Sequence, residues 1–364
     1  MSRFIFAVVV CVFCPMLGRA QNDLRSSVSQ LTSSFAKGYI SPVASGMGTS
    51  MNTGWFHRTP PAKKLGFHFE MGVIAMGSTF GSKDRKFTAN GDLRLDSLQA
   101  AKITGFVYTS NEFSHLTLSQ KQEVQAALID QIIGSAVRVR MSGPTAIGSK
   151  NDSLHIAYTG AVISYTDPVT NQTLDVDLAA QGEESVLPVR GLELPLVGWF
   201  AWQTTIGTLA GTYFTFRFFP PRNSGALGKL TYFGWGLQHN PAVWMERKWP
   251  VDLSILLFSQ RLKQGRFFEM KTTAFGFTAG KQVGWQWLHV YPYAGVMVES
   301  STINVQYDYT NSTGQLEKTG FDLKGDNRAR ITIGSSFRFL VANVNLDYSL
   351  AKYPSYSVGL TLAF

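Results

Sequence analysis

Beyond its first twenty residues the sequence has no cysteine, because Cys11 and Cys14 are the only two. That remainder can form no disulfide and offers no thiolate to a substrate or a metal. Charge is also scarce: Asp, Glu, Lys and Arg make up 16% of the chain, against roughly 25% in ordinary globular proteins. The formal net charge is +9, but the 33 basic residues are scattered, so no nucleic-acid footprint is expected. After residue 20 no apolar run approaches the roughly 20 residues that a transmembrane helix needs. The six histidines, His57, His68, His115, His155, His239 and His289, include no metal-binding pair such as His-x-x-x-His. His239 and His289 have no nucleophile signature beside them, as barrel lipases would require. Gly46-x-Gly48 lacks the strand–helix frame of a nucleotide loop. No catalytic residue, metal or cofactor is therefore expected, and no internal repeat is visible.

What the sequence has in quantity is aromatic. There are 26 Phe, 13 Tyr and 8 Trp, with 34 Gly and 45% hydrophobic residues. In Tyr356-Ser-Val-Gly-Leu-Thr-Leu-Ala-Phe364, every odd position after Tyr356 is small and every even one is large and apolar. A strand places successive side chains on opposite faces, so one face here is oily and the other carries nothing bulky. The same alternation recurs from 212 to 364. Phe214, Phe216 and Phe218 oppose Tyr213, Thr215 and Arg217. Ile303, Val305 and Tyr307 oppose Asn304, Gln306 and Asp308. Ile331, Ile333, Phe337 and Phe339 oppose Arg330, Thr332 and Arg338, and Val344, Leu346 and Leu350 oppose Asn345, Asp347 and Ser349. Few charges occupy the polar parity. A soluble sandwich alternates too, but repetition with so little charge predicts an all-β transmembrane antiparallel barrel. At about 9–11 residues per crossing, with an even count, about 12–14 strands are expected. Trp199, Trp202, Trp244, Trp249, Trp285, Trp287, Tyr291 and Tyr293 near strand ends suit either interfacial girdles or core packing.

The first third reads differently. Arg3, an apolar run over 4–17 and Gly18-Arg-Ala20 form a signal peptide over 1–20 cleaved before Gln21. Residues 21–64 read as a plug: Leu24, Val28, Leu31 and Phe35 recur at helical spacing, and Gly46, Gly48 and Gly54 then break the backbone. The barrel is assigned to 65–364, beginning with Leu65, Phe67, Phe69, Met71 and Val73 on one parity. Within it, 83–187 has a poor period and reads as long loops or a lumenal hatch, with a strand at 103–108 and a helix at 119–133.

Six charged residues on the polar parity, Arg217, Asp252, Asp308, Arg330, Arg338 and Asp347, are expected in the lumen. On the lipid face an Arg or Lys would cost roughly 2–4 kcal/mol near the bilayer centre. Lumenal ion pairs that stiffen the wall account for them more simply than a selectivity site. His68 and Glu70 share a parity and are expected to be solvated.

The spacing Ser357-x-Gly359-x-x-Leu362-x-Phe364 resembles the C-terminal signal read by the barrel-assembly machinery, which implies that Gly359, Leu362 and Phe364 guide assembly. Gly46-x-Gly48 to Asn52-x-Gly54-Trp55, Pro144-Thr-Ala-Ile-Gly148, Gly236-Leu-Gln-His239, Pro250-Val-Asp252-Leu and Asp347-Tyr-Ser349 resemble an uncharacterised family of outer-membrane barrels common in Bacteroidota. More distantly the chain is similar to the long-chain fatty-acid transporter superfamily, where an N-terminal segment plugs the barrel. The resemblance implies an outer-membrane, non-enzymatic barrel surrounded by lipid that binds or passes small hydrophobic molecules. A structural or interaction barrel serving surface proteins is the first rival, and a lipid-modifying enzyme the second. A roomy apolar lumen favours transport, and a lumen packed shut favours the structural role.

Overall fold

The computed structural model describes residues 33–364, apart from 94–96, 135–136, 160–161, 168, 171–172, 178–183, 188, 224–227, 247–248, 286 and 311–315. The segment expected as a signal peptide, 1–20, and Leu24, Val28 and Leu31 of the expected plug helix lie outside the described residues.

Ten antiparallel strands close into a barrel. They are β1 (Leu65–Thr79), β8 (Leu196–Leu209), β9 (Thr212–Asn223), β10 (Lys229–His239), β11 (Asp252–Gln264), β12 (Phe268–Gly280), β14 (Leu288–Thr310), β16 (Ala329–Phe339), β17 (Ala342–Leu350) and β18 (Ser355–Ala363). The wall follows that order from β8 to β12 and on through β14 to β18, and β1 joins its two ends by pairing with both β18 and β8. Phe69 and Phe364 exchange both backbone hydrogen bonds, 3.1 and 2.8 Å, which carries the seam to the last residue. Two further strands, β13 (Val283–Trp285) and β15 (Leu316–Lys324), pair only with β14 and stand outside the circuit. The expected 12–14 wall strands are thus ten. The difference arises because β15 runs beside an overlong β14, and because the region after β1 leaves the wall altogether.

That region forms an insertion between neighbouring strands β1 and β8. It holds a four-stranded sheet of β2 (Lys86–Leu93), β3 (Val137–Pro144), β4 (Leu154–Tyr158) and β7 (Glu184–Leu187), and a hairpin of β5 (Val162–Thr166) and β6 (Thr173–Asp177). Helices α2 (Ser97–Ile103), α3 (Phe106–Thr109) and α4 (Leu118–Gly134) pack with them. The helix expected at 119–133 is α4. The strand expected at 103–108 is helical, because Ile103, Phe106, Val107 and Phe113 are needed on one buried side against α4 and Tyr165.

The wall alternates as a barrel in lipid must. Along β18 the large residues Tyr356, Val358, Leu360 and Leu362 are 48–52% exposed on the outside, while Ser355, Ser357 and Thr361 are buried inside. Phe214, Phe218, Phe233, Phe275, Phe277, Ile331, Ile333 and Leu346 extend this band around the barrel. Left in water, a continuous apolar band would cost about 25 cal/mol per Å². In a bilayer that surface is already in its preferred solvent, and the strands have the length to cross one.

β14 records where the crossing ends. Its inward parity is polar at Glu299 and Ser301 and then apolar at Ile303, Val305 and Tyr307, all buried. Its outward parity is apolar at Val296 and Val298 and then polar at Thr302, Asn304, Gln306 and Asp308. The pleat never slips. What inverts is the surroundings, from lipid outside and polar lumen inside to water outside and globular core inside. Asp308, expected in the lumen, therefore lies exposed on the outer surface.

A buried segment lies inside. Helix α1 (Ser33–Met51) projects its first half beyond the barrel rim, where Phe35, Ala36, Tyr39 and Ile40 are buried. Tyr39 accepts a backbone hydrogen bond from Ala146 and donates its hydroxyl to Arg190 O at 2.9 Å. The second half enters the lumen. Gly46 and Gly48 do not break the helix; they let it press against the wall. A Cβ at Gly46 would sit 2.5 Å from the Phe80 ring, and one at Gly48 would sit 2.7 Å from Ser301 Oγ. Residues 52–64 then run down the barrel to its other end, where Ala210 and Gly211 donate to Lys64 O and Lys63 O.

Candidate lumenal plug site

The site is the contact between this threaded segment and the polar inner wall. After Met51 the helix stops releasing its carbonyls to its own backbone, and Gly54 turns the chain with φ +70°. Those carbonyls need donors in a place with little water, and Arg217 of β9 supplies them. Fully buried, it donates from Nη1 to Met51 O (3.1 Å) and Thr53 O (3.0 Å). Its Nε and Nη2 reach Gln203 Oε1 at 2.9 and 2.7 Å, and its guanidinium lies 4.3 Å from the Trp55 ring centroid. Trp55 is stacked on its other partner, Phe258, at 4.8 Å. The planar fork and flat cation–π face are features that Lys could not reproduce.

A second cluster holds the same turn from the opposite wall. Gln260 donates to Met51 O and Asn52 Oδ1, both at 2.9 Å, and Asn52 donates to Glu299 Oε2 at 3.1 Å. Glu299 also accepts from Asn327 and pairs with Arg330 at 3.4 Å. Arg330 donates to Thr53 Oγ1 at 3.0 Å, and Thr53 shares a hydroxyl contact of 2.8 Å with Ser355.

Lower in the lumen Glu70 of β1 is the centre. His57 of the plug meets its Oε1 at 2.8 Å, and His68 approaches Oε2 at 3.4 Å while stacking on Tyr213 at 4.6 Å. Asn343 (3.2 Å) and Thr361 donate to Oε1 as well. His68 and Glu70 were expected to be solvated. Both are buried, because the plug covers the parity that an empty lumen would leave wet. Among the described residues no group of three His, Cys, Asp or Glu is disposed to hold a metal ion. The space left beside Trp55, His57, Arg58, Glu70 and Tyr213 is about 10 Å³, about one water.

The six charged residues divide. Arg217, Arg330 and Asp347 are buried in the lumen, where Asp347 accepts from Tyr293 at 3.1 Å. Asp252 and Arg338 sit half-buried on the inward parity at the far rim, Arg338 donating to Leu340 O (2.8 Å) and Ala363 O (3.1 Å). Asp308 is outside. Phe35 is buried, yet against Gly91 of the inserted unit rather than in the lumen. Gly359 faces inward under Ile74, while Leu362 and Phe364 face outward. The aromatics divide as well: Trp199, Tyr291 and Tyr293 are buried inside, whereas Trp244, Trp249, Trp285 and Trp287 are exposed near the end that holds Phe364. Sequence reasoning missed Gln203, Gln260 and Glu299, which their lumenal parity would have exposed, and Thr53, for which no pattern exists; Asn52 entered only through the Asn52-x-Gly54-Trp55 motif, with no role attached.

No curated protein matches the sequence. Among solved structures, a loop L8 deletion mutant of OmpT, an outer membrane protein of Vibrio cholerae, is 8% identical over 82% of this chain and 99% of that one, with a TM-score of 0.21. An anion-selective porin from Comamonas acidovorans is 9% identical over 82% and 99%, with a TM-score of 0.18. Neither likeness carries an argument at such scores, and the barrel rests on its own strand closure. The sequence matches a described family from end to end: over residues 1–364, the chain belongs to the family of unknown function DUF6588.

Proposed function

We propose that this chain is an exported outer-membrane barrel, closed by its own N-terminal segment, that holds the inserted unit (80–195) at one membrane face as a structural or interaction module. One observation carries the reading: the second half of α1 and residues 52–64 thread the lumen, and the space left beside Trp55, His57 and Glu70 is about 10 Å³, about one water. The outer half of α1 also shares one hydrophobic core with the inserted unit, through Phe35, Tyr39, Ile40, Met141 and Ile147. Burial of each such large side chain is worth roughly 1.5–3 kcal/mol, so withdrawing the plug would dismantle that core. The reading assigns no catalysis to the chain and takes membrane lipid and the assembly machinery as its partners.

The test is conductance. The purified chain in a planar bilayer should carry no steady current, and a variant lacking residues 33–64 whose barrel still forms should conduct. Steady current through the wild-type chain would overturn the reading.

A second reading, gated passage of small solutes, draws on the lumen lining. Thr215, Gln238, Ser254, Thr272, Thr332 and Asn345 make a wall suited to water. That wall favours polar cargo over the hydrophobic molecules that a likeness to fatty-acid transporters implies. Uptake of a polar solute that rises in Arg217→Gln, with the barrel intact, would favour it.

A further inference from the structure

On the outer surface, basic residues line up at the edge of the apolar band, and only on one side. The register across β10, β11, β12, β14 and β15 aligns Phe233, Arg261, Lys271, Thr302 and Lys324 in one lateral row. Strands lie about 4.8 Å apart, so long side chains from the three cations converge within reach of one small anion. Arg261 and Lys271 are 55% and 63% exposed. Glu269 sits between them, at 2.8 Å from Arg261 Nη2 and 3.2 Å from Lys271 Nζ, and holds both upright. Lys263 adds a fourth outward cation one step further out.

The row's height is fixed independently. It passes through Thr302, one outward position beyond Ser300, where the outer face of β14 turns from apolar to polar. On β12 the outward residues Thr273, Phe275, Phe277 and Ala279 lie between Lys271 and Lys281, a separation that matches the roughly 9–11 residues of one crossing. The next outward row is Trp235, Ser259, Thr273 and Ser300, and the one after it is Leu237, Leu257, Phe275 and Val298, of which Trp235, Phe275 and Val298 are exposed. Directly above the cationic row opens a cleft of about 910 Å³ lined by Arg266, Phe267, Gln306, Lys318 and Asp322 among others. Its acids are Asp308 and Asp322, and Asp322 accepts from Asn304 at 2.8 Å. By contrast, the outward parities of β17, β18, β1 and β8 carry no charge.

From this arrangement we infer that Arg261, Lys271 and Lys324 bind the phosphate of an anionic lipid whose chains lie on Trp235, Phe275 and Val298 and whose headgroup enters the cleft. A ring of solvated cations around the whole rim would serve solubility. Cations confined to one sector, above aromatic surface and below a polar cleft, match a lipid with a phosphorylated headgroup. The inference rests on the membrane reading of the apolar band.

The experiment reconstitutes the full chain in nanodiscs of phosphatidylcholine containing phosphatidic acid, extracts it gently, and counts retained lipid by native mass spectrometry. The wild-type chain should retain phosphatidic acid over phosphatidylcholine by roughly tenfold or more, as several basic residues at an anionic surface imply. Arg261→Gln/Lys271→Gln/Lys324→Gln should reduce that preference to about twofold or less. Lys63→Gln/Lys64→Gln, at the other end, should keep it. Equal retention of both lipids by the wild-type chain, or a preference unchanged in the triple variant, overturns the site. Displacement of the lipid by millimolar inorganic phosphate alone would show a free-anion site and overturn the lipid assignment. Failure of the wild-type chain to enter nanodiscs at all would overturn the membrane reading, and the site with it.

Discussion

Arg217 is the residue on which the plug contact turns, because it satisfies two plug carbonyls, one wall amide and one aromatic face at once. Its lumenal side was legible from parity alone, since Phe214, Phe216 and Phe218 fix the outward face of β9. Its partners were not, because Met51 and Thr53 contribute backbone atoms that leave no mark in a sequence. Replacing it by Gln removes the charged donor to Thr53 O, while Met51 O keeps Gln260. Arg217→Gln should therefore lose about 1.5–3 kcal/mol, the worth of a hydrogen bond from a charged donor. Denaturant titration in detergent, followed by gel mobility without heating, measures it. An unchanged midpoint would show that the plug is held by packing alone. Glu70 teaches the complementary lesson. Its parity with His68 was read correctly, but the cover that buries them comes from residues 52–64, which carry no periodicity.

At the scale of elements, alternating strands were the most legible part of the chain, and β9, β16, β17 and β18 run where the pattern put them. The exception on β14 is instructive. Ile303, Val305 and Tyr307 alternate as lipid-facing residues would, yet they face a globular core, because period shows two faces without showing which one meets lipid. The inserted unit was least legible, its short strands being buried on the side that packs on α1. One acid-sensitive contact lies in it. The Asp167 carboxyl is held below the usual range by hydrogen bonds from the Thr170 and Val169 backbone N–H groups and by His115 Nε2 at 2.6 Å, against the opposing effect of burial. A carboxyl depressed in the folded state stabilises above its unfolded value and loses that contribution as pH falls through the depressed one. The 115–170 contact should therefore loosen below about pH 4, and Asp167→Asn should remove that acid dependence. Near-ultraviolet circular dichroism of Phe113 and Tyr165, whose rings lie 5.1 Å apart and tilted by 36°, reports it, and identical acid profiles would refute the assignment. At the seam, Phe364 is 60% exposed to the lipid side, so a charged substitution removes little internal packing. Phe364→Glu should lower outer-membrane levels through slow assembly while leaving the assembled barrel's unfolding midpoint nearly unchanged. A large drop in that midpoint would instead make Phe364 a stability element.

For the whole molecule, topology sets which parts share a face. The seam puts the start of β1 and the end of β18 at the same end, and the plug crosses the lumen before β1 begins. Residue 33 therefore emerges opposite Phe364, beside the inserted unit and the β14–β15 extension. Two connections at the Phe364 end are tight, at 210–211 and 340–341, whereas the opposite end carries the 80–195 insertion. Bacterial barrels place short turns in the periplasm and long excursions outside, so the inserted unit and the emerging N-terminal segment should both face the cell exterior. The lack of cysteine after residue 20 makes this directly testable, since one introduced cysteine is then the only thiol in residues 21–364. Glu123→Cys, exposed on α4, should react with a membrane-impermeant maleimide in intact cells. Lys281→Cys, exposed at the other end, should react only after the outer membrane is permeabilised. The reverse pattern would invert the barrel and place the inserted unit in the periplasm, and labelling of neither in permeabilised cells would deny that these residues lie beyond the membrane band.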